Sequence, residues 1–270
     1  MRLFDLRKSL KSDFQRHGKD VVDVDFIISE VLGVSHTELV LIEEIADKDL
    51  NRIMKCVVKR LAGCPVNKIF ERAYFYGREF KINEHVLAPR QDSEILIDTA
   101  IRLIRENDLK TCLDLCTGSG CLAITVKCET GIEVVASDVS IRALTVAKQN
   151  AKLHNADIEF VKSDMFEKID GSYDIIISNP PYIATEDIED LDTEVKDHDP
   201  RLALDGGEFG LKFYNIIHDN LRKHLNPNGI CVLEIGDEQK MLVTSLFNDF
   251  ELIASLQDMS GNDRVLVFKR

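Results

Sequence analysis

The chain has 270 residues, 44% hydrophobic and 30% charged, with only 14 glycines and 6 prolines, which excludes a low-complexity chain and allows one large domain or an ordinary core plus a small second domain. Its formal net charge of −13 argues against tight sequence-independent binding to phosphate backbones, which depends on Lys and Arg releasing counterions. Charges in Met1-Arg2-Leu3-Phe4-Asp5 stand where a signal peptide needs an apolar core, and no long apolar run follows, so a cytoplasmic protein with no membrane segment is expected.

The 7 cysteines are an odd number in a long chain, which disfavours a disulfide framework. Cys112, Cys116, Cys121 and Cys128 cluster in sequence, but no C-x-x-C pair or interleaved histidine accompanies them. Core thiols are expected there, and no metal site.

Residues 1–72 read as helical throughout. Leu3, Leu6, Leu10 and Phe14 recur at helical spacing up to Gly18; Val24, Ile27, Ile28, Val31 and Leu32 form a second stripe closed by Gly33. Leu50, Ile53, Met54, Val57, Val58 and Leu61 form a third, with Asp47 as candidate N-cap and Gly63 as stop. The spacing predicts a small helical bundle, suited to partner recognition or to a structural cap. Alternation around Gly77 then predicts a connecting β-hairpin over residues 73–87. A helix carrying Ile95, Leu96, Ile101 and Ile104 follows, with Asp92 or Ser93 as its cap.

From Thr111 onward strand-like and helix-like stretches alternate. Strands are expected at 112–115, 133–137, 158–162, 173–178 and 230–235, and helices at 122–128, 141–153, 211–225 and 239–248. That rhythm predicts an α/β domain over residues 88–270 with a doubly wound, mostly parallel sheet. Two last strands, 252–257 and 264–269, follow with no helix between them and suit an antiparallel hairpin at the sheet edge, making seven strands in all.

Two motifs carry chemistry. Asp114-Leu115-Cys116-Thr117-Gly118-Ser119-Gly120-Cys121-Leu122-Ala123 reads as a strand, a tight turn and a helix, with glycines where a ligand must approach the backbone. Gly118, Gly120 and Ala123 also satisfy G-x-G-x-x-A, so a dinucleotide remains open at this motif. Asp138, 20 residues past Gly118 and at the end of the next strand, suits ribose hydroxyls in either case.

The second motif, Asn179-Pro180-Pro181-Tyr182, follows the buried run Tyr173-Asp174-Ile175-Ile176-Ile177. Neither proline has an N–H to continue the ladder, so the strand ends in a stiff corner at the carboxyl edge of the sheet, where ligands bind in open α/β folds. A hydride-transfer enzyme has no use for such a corner, whereas methylation of a planar nitrogen does. An amide or exocyclic amino nitrogen is a poor nucleophile because its lone pair is delocalised. Acceptors at the Asn179 side-chain oxygen and the Pro180 carbonyl orient the NH₂ and strengthen as positive charge builds on it. Tyr182 supplies a flat packing face.

Cys116–Gly120, Asp138 and Asn179–Tyr182 together resemble the class I S-adenosylmethionine-dependent methyltransferases, with their Rossmann-like fold. Ala88-Pro89-Arg90-Gln91-Asp92-Ser93-Glu94, Leu233-Glu234-Ile235-Gly236, Asp258-Met259-Ser260-Gly261-Asn262-Asp263-Arg264 and the N-terminal Ile28-Ser29-Glu30-Val31-Leu32-Gly33-Val34 are similar to the peptide chain release factor glutamine methyltransferases over nearly the whole chain. The resemblance implies an acceptor glutamine in the Gly-Gly-Gln motif of release factors. It implies that Cys116, Thr117, Gly118, Ser119 and Gly120 line the methionine end of the cofactor and that Asp138 binds its ribose. Asp164 and Met165 would lie along the adenine, and Asn179, Pro180, Pro181 and Tyr182 would hold the glutamine, with Asn179 catalytic and touching the cofactor. Cys116 and Met165 depart from the family pattern, which usually has glycine and often has tryptophan there. No direct contact with nucleic acid, no membrane and a monomer are expected. The acidic stretch between Tyr182 and Gly210 is expected to lie over the acceptor site. Three rivals stand beside this reading: a ribosomal-protein glutamine methyltransferase, a DNA adenine methyltransferase, and a non-catalytic protein that keeps the cofactor fold.

Overall fold

The computed structural model describes residues 1–270, which divide into a smaller unit, residues 1–71 with Thr193–His198, and a larger unit, Arg72–Asp192 with Asp199–Arg270. The smaller unit is helical: α1 (Leu3–Arg16), α2 (Val22–Leu32), α3 (Asp47–Leu61) and the single turn α4 (Val66–Phe70). Leu3, Leu6, Leu10 and Phe14 of α1 meet Val24, Ile27, Ile28 and Val31 of α2 in one buried cluster, each contributing about 1.5–3 kcal/mol by leaving water. From α3 only Ile53 and Val57 are buried in that cluster, while Met54 and Val58 of the predicted stripe are exposed. Asp47 is the first residue of α3 and not its cap; Ala46 holds that position and no side chain caps the helix.

The larger unit opens with a hairpin, β1 (Arg72–Phe75) and β2 (Arg78–Lys81). Phe75 and Phe80 from it are buried in this unit's core. Then come α5 (Glu94–Glu106), β3 (Thr111–Leu115), α6 (Cys121–Thr130), β4 (Glu133–Asp138), α7 (Ile141–Leu153), β5 (Glu159–Lys162) and β6 (Tyr173–Ser178). The one-turn helix α8 (Thr193–Lys196) is followed by α9 (Lys212–His224), β7 (Leu225–Glu234), α10 (Lys240–Leu246), β8 (Glu251–Gln257) and β9 (Asp263–Lys269). Seven strands form one sheet in the order β5-β4-β3-β6-β7-β9-β8, parallel except for β9, which runs antiparallel to both neighbours.

The central strands alternate between two buried layers. Ile175, Ile177, Val232 and Val265 pack with α5 and α6, whereas Ile176, Leu233 and Leu266 pack with Tyr214, Ile217 and Leu221 of α9. This is the doubly wound arrangement expected from the strand–helix rhythm. It brings the carboxyl ends of β3, β4 and β6 to one edge, and with them Cys116, Asp138 and Asn179. No helix is long and apolar enough to cross a membrane.

Candidate active site

At that edge β3 runs into the glycine turn. Cys116 and Gly118 both take left-handed backbone, at φ of 60° and 55°, and the Thr117 N–H donates to the Ser137 carbonyl at 2.9 Å, which ties the turn to β4. Gly120 starts α6 at φ 81°. A Cβ there would meet Ile124 Cδ1 at 3.0 Å and Ala147 Cβ at 3.1 Å, so both the backbone angle and the packing of α6 on α7 demand glycine. Beneath the turn the fully buried Asp114 accepts from Thr117 Oγ1 at 2.6 Å and from the Ala123 N–H at 3.2 Å, while its Oδ1 has no partner. Burial pushes its carboxyl up to about 7, against those two hydrogen bonds.

Asp138 ends β4 with both oxygens engaged by backbone, Oδ2 by the Gly118 N–H at 2.9 Å and Oδ1 by the Ser140 N–H at 2.8 Å. Burial raises its pKa and these amides lower it. Each oxygen keeps a lone pair for a further donor. Cys116 and Met165, the two departures from the family pattern, touch each other: the thiol donates to the thioether sulfur at 3.6 Å. Burial pushes the Cys116 thiol far above its ordinary value, so it stays neutral and unreactive.

Asn179 follows β6, and its Nδ2 donates to Ser93 Oγ at 3.2 Å. Ser93 therefore does not cap α5: it sits in helical backbone with no capping hydrogen bond, and its hydroxyl is turned to Asn179 instead. Asp92 does not cap the helix either, since no side chain closes that end. Tyr182 is half-buried; its carbonyl accepts from Gln239 Nε2 at 2.9 Å, and its ring edge would lie 3.0 Å from a Cβ on Gly236.

These elements surround a cleft with about 990 Å³ of empty space, counted out to its mouth. Cys116, Thr117, Gly118, Ser119, Asp138, Asp164, Met165, Asn179 and Pro181 line it, whereas Gly120, Pro180 and Tyr182 do not. Ser93, Arg90, Leu122 and Phe213 also line it without having been read as site residues; Arg90 is held by Asp199 at 3.0 Å. From the acidic stretch, Pro200, Leu202 and Ala203 form part of the wall. That stretch is ordered by its own backbone: the Ile183 N–H donates to the Leu204 carbonyl at 3.0 Å, and the Gly206 N–H to the Ile183 carbonyl at 2.8 Å.

The profile of the Methyltransferase small domain matches residues 92–209. A protein named release factor glutamine methyltransferase, from Agrobacterium fabrum, is 38% identical over 262 residues, spanning 93% of this chain and 90% of that protein. The chain belongs to the release factor glutamine methyltransferase family. A second release factor glutamine methyltransferase, from Streptococcus pneumoniae, is 33% identical over 274 residues and covers 99% of this chain and 98% of its own. Among solved structures, the T. thermophilus 16S rRNA N2 G1207 methyltransferase in complex with AdoMet and guanosine has a TM-score of 0.51 at 18% identity, over 74% of this chain and 49% of that one, a likeness of fold.

As a release factor glutamine methyltransferase family member, the chain is an enzyme that takes its methyl group from S-adenosylmethionine. The residues present fit that cofactor. A left-handed turn with small residues suits close approach of a methionine backbone, and Asp138 keeps acceptor capacity for hydroxyl groups. Met165, Leu122 and Phe213 give the cleft apolar wall.

Proposed function

We propose that this chain methylates the side-chain amide nitrogen of the glutamine in the Gly-Gly-Gln motif of peptide chain release factors. The observation that carries the proposal is the placement of Asn179: it lines the cleft at the carboxyl end of β6 and commits its Nδ2 to Ser93, which leaves Oδ1 as a free acceptor. Cys116, Thr117, Gly118 and Ser119 hold the methionine end of S-adenosylmethionine, with Gly120 shaping the turn behind them, Asp138 holds its ribose, and Asp164 and Met165 its adenine. Bound there, the cofactor supplies an electrophilic methyl group.

The protein's own residues make the amide nitrogen competent. Asn179 Oδ1 accepts one N–H of the glutamine and the Pro180 carbonyl the other, while Pro181 and Tyr182 hold that corner rigid. As the nitrogen attacks, positive charge grows on its N–H groups and both hydrogen bonds strengthen, so they favour the transition state over the bound substrate. No strong base is required, because the N-alkylated amide cation is acidic and loses its proton to water or a nearby carbonyl. The names of the relatives support release factors as the protein substrate. The helical unit, residues 1–71 with Thr193–His198, then serves substrate recognition, and the larger unit, which includes the hairpin, carries the chemistry. Seven free thiols suit work in the reducing cytosol.

Mass spectrometry of recombinant release factor incubated with the protein and methyl-labelled cofactor tests the proposal. One labelled methyl on the Gly-Gly-Gln glutamine is the expected result. Labelling of a ribosomal protein but not of the release factor, or no transfer at all, overturns it.

A further inference from the structure

An amide side chain is useful to the reaction proposed above in only one of its two orientations. With Oδ1 toward the substrate, Asn179 accepts an N–H; turned over, it presents its own NH₂ to another NH₂ and the hydrogen bond is lost. Ser93 alone does not settle the choice, because a hydroxyl both donates and accepts.

What lies behind it does. β6 and β7 are parallel, with Ser178 opposite Leu233, so Asn179 and Glu234 leave the two strands side by side. Glu234 is 2% exposed and does not line the cleft. The Ser93 hydroxyl and the Asn179 amide both lie close enough to its carboxyl to lower its pKa, and its Oε2 has no hydrogen-bond partner. A carboxylate only accepts. We infer that Glu234 is a positioning residue: its carboxylate, directly and through Ser93, draws the NH₂ end of Asn179 inward and so turns Oδ1 to the substrate amide. The inference rests on the role proposed for Asn179 and adds to it the group that sets its orientation.

The orientation is then pH-dependent. Burial is the largest influence on Glu234 and pushes its carboxyl up to about 7, against the nearby Ser93 and Asn179 donors and the charge of Arg264 on β9. Asp92 opposes Arg264. Tyr182, Tyr214 on α9 and Cys121 on α6 also face it, and burial pushes all three up, so they remain neutral. Above that pH the carboxylate only accepts. Below it, the added proton competes as a donor for Ser93 Oγ and Asn179 Oδ1, and the bias fades.

Two measurements test this, the first without substrate. In proton–nitrogen NMR spectra, the Asn179 side-chain NH₂ pair is assigned by its loss in Asn179→Ala. It is expected to shift with a midpoint near pH 7 in the wild type and to stay flat in Glu234→Gln. In turnover assays, Glu234→Gln is expected to lower kcat by roughly 10- to 100-fold, to leave cofactor affinity unchanged, and to abolish the acid limb of kcat. Ser93→Ala, which leaves Glu234 beside Asn179, is expected to lower kcat less and to retain the limb. A wild-type amide pair that does not titrate overturns the inference, and so does an acid limb that persists in Glu234→Gln. If the pair titrates but Asn179→Ala turns over normally, the positioning stands and the role proposed for Asn179 fails.

Discussion

Removing the Asn179 carboxamide takes away one preorganised acceptor while leaving the glycine turn and Asp138 untouched. Asn179→Ala is therefore expected to lower kcat by about 10²–10³-fold with cofactor affinity nearly intact, measured by single-turnover kinetics beside calorimetric titration. A near wild-type rate would remove Asn179 from the mechanism. Asp114 tests burial alone. Its folded pKa lies above the unfolded one, so its contribution to stability is fully present at low pH and is lost as pH rises through about 7. The rise from 3.8 to about 7, at about 1.36 kcal/mol per pH unit, amounts to on the order of 4 kcal/mol. Urea unfolding of Asp114→Asn from pH 5 to 8 covers the upper part of that loss and should show the variant gaining on the wild type by roughly 2–3 kcal/mol, whatever constant offset its lost hydrogen bonds introduce. An unchanged difference across the range would mean that Asp114 is charged throughout. At this scale the sequence was legible where a residue's type states its use, as with Asn179 beside two prolines. It was silent on Ser93, because a serine before a helix reads as a cap whether its hydroxyl turns to the helix or to a neighbouring side chain. Glu234 did leave a signal: a lone carboxylate within an apolar strand has to be partnered.

At the scale of elements, the β-branched runs at residues 133–137, 173–178 and 230–235 read as strands because both sheet faces are covered, which leaves their centres apolar. Helix faces were read less sharply. Met54 and Val58 share the spacing of Ile53 and Val57 but lie on the side of α3 that remains exposed, and periodicity does not say how wide the buried stripe is. The corner after β6 depends on an element distant in sequence. Gly210 has φ 67°, and a Cβ there would lie 2.0 Å from the Tyr182 carbonyl oxygen and 2.6 Å from the Gln239 Nε2 that binds it. Gly210→Ala thus forces Tyr182 to move. Overpacking and left-handed strain together predict a stability loss of about 2–4 kcal/mol by urea unfolding, with a larger fall in kcat than in cofactor affinity. If stability and kcat were both unaffected, the corner would not need Gly210.

For the molecule as a whole, the chain leaves the larger unit after Asp192, contributes Thr193–His198 to the helical unit, and returns at Asp199. Within the helical unit that visit is anchored by charge. Glu194 receives Lys19 Nζ at 2.6 Å and Arg60 Nη1 at 2.5 Å, while Arg60 Nε binds Asp23 at 2.6 Å. The Arg60 side chain is only 8% exposed, so truncating it removes the buried cation that Asp23 and Glu194 share. Breaking a fully buried pair costs about 3–5 kcal/mol; with Asp23 and Glu194 partly solvated, roughly 2–3 kcal/mol is expected for Arg60→Ala. Arg60→Lys should fall between, because one ammonium cannot reproduce the separate Nε and Nη1 bonds of the guanidinium. Since Pro200, Leu202 and Ala203 line the cleft within ten residues of Glu194, loosening this anchor should raise the KM for the protein substrate and leave cofactor affinity unchanged. Limited proteolysis followed by mass mapping is the direct readout: cleavage between residues 184 and 198 should accelerate in Arg60→Ala and only modestly in Arg60→Lys. Cleavage at the wild-type rate in both would show that the backbone hydrogen bonds from Ile183 to Gly206 hold the stretch without help from Arg60.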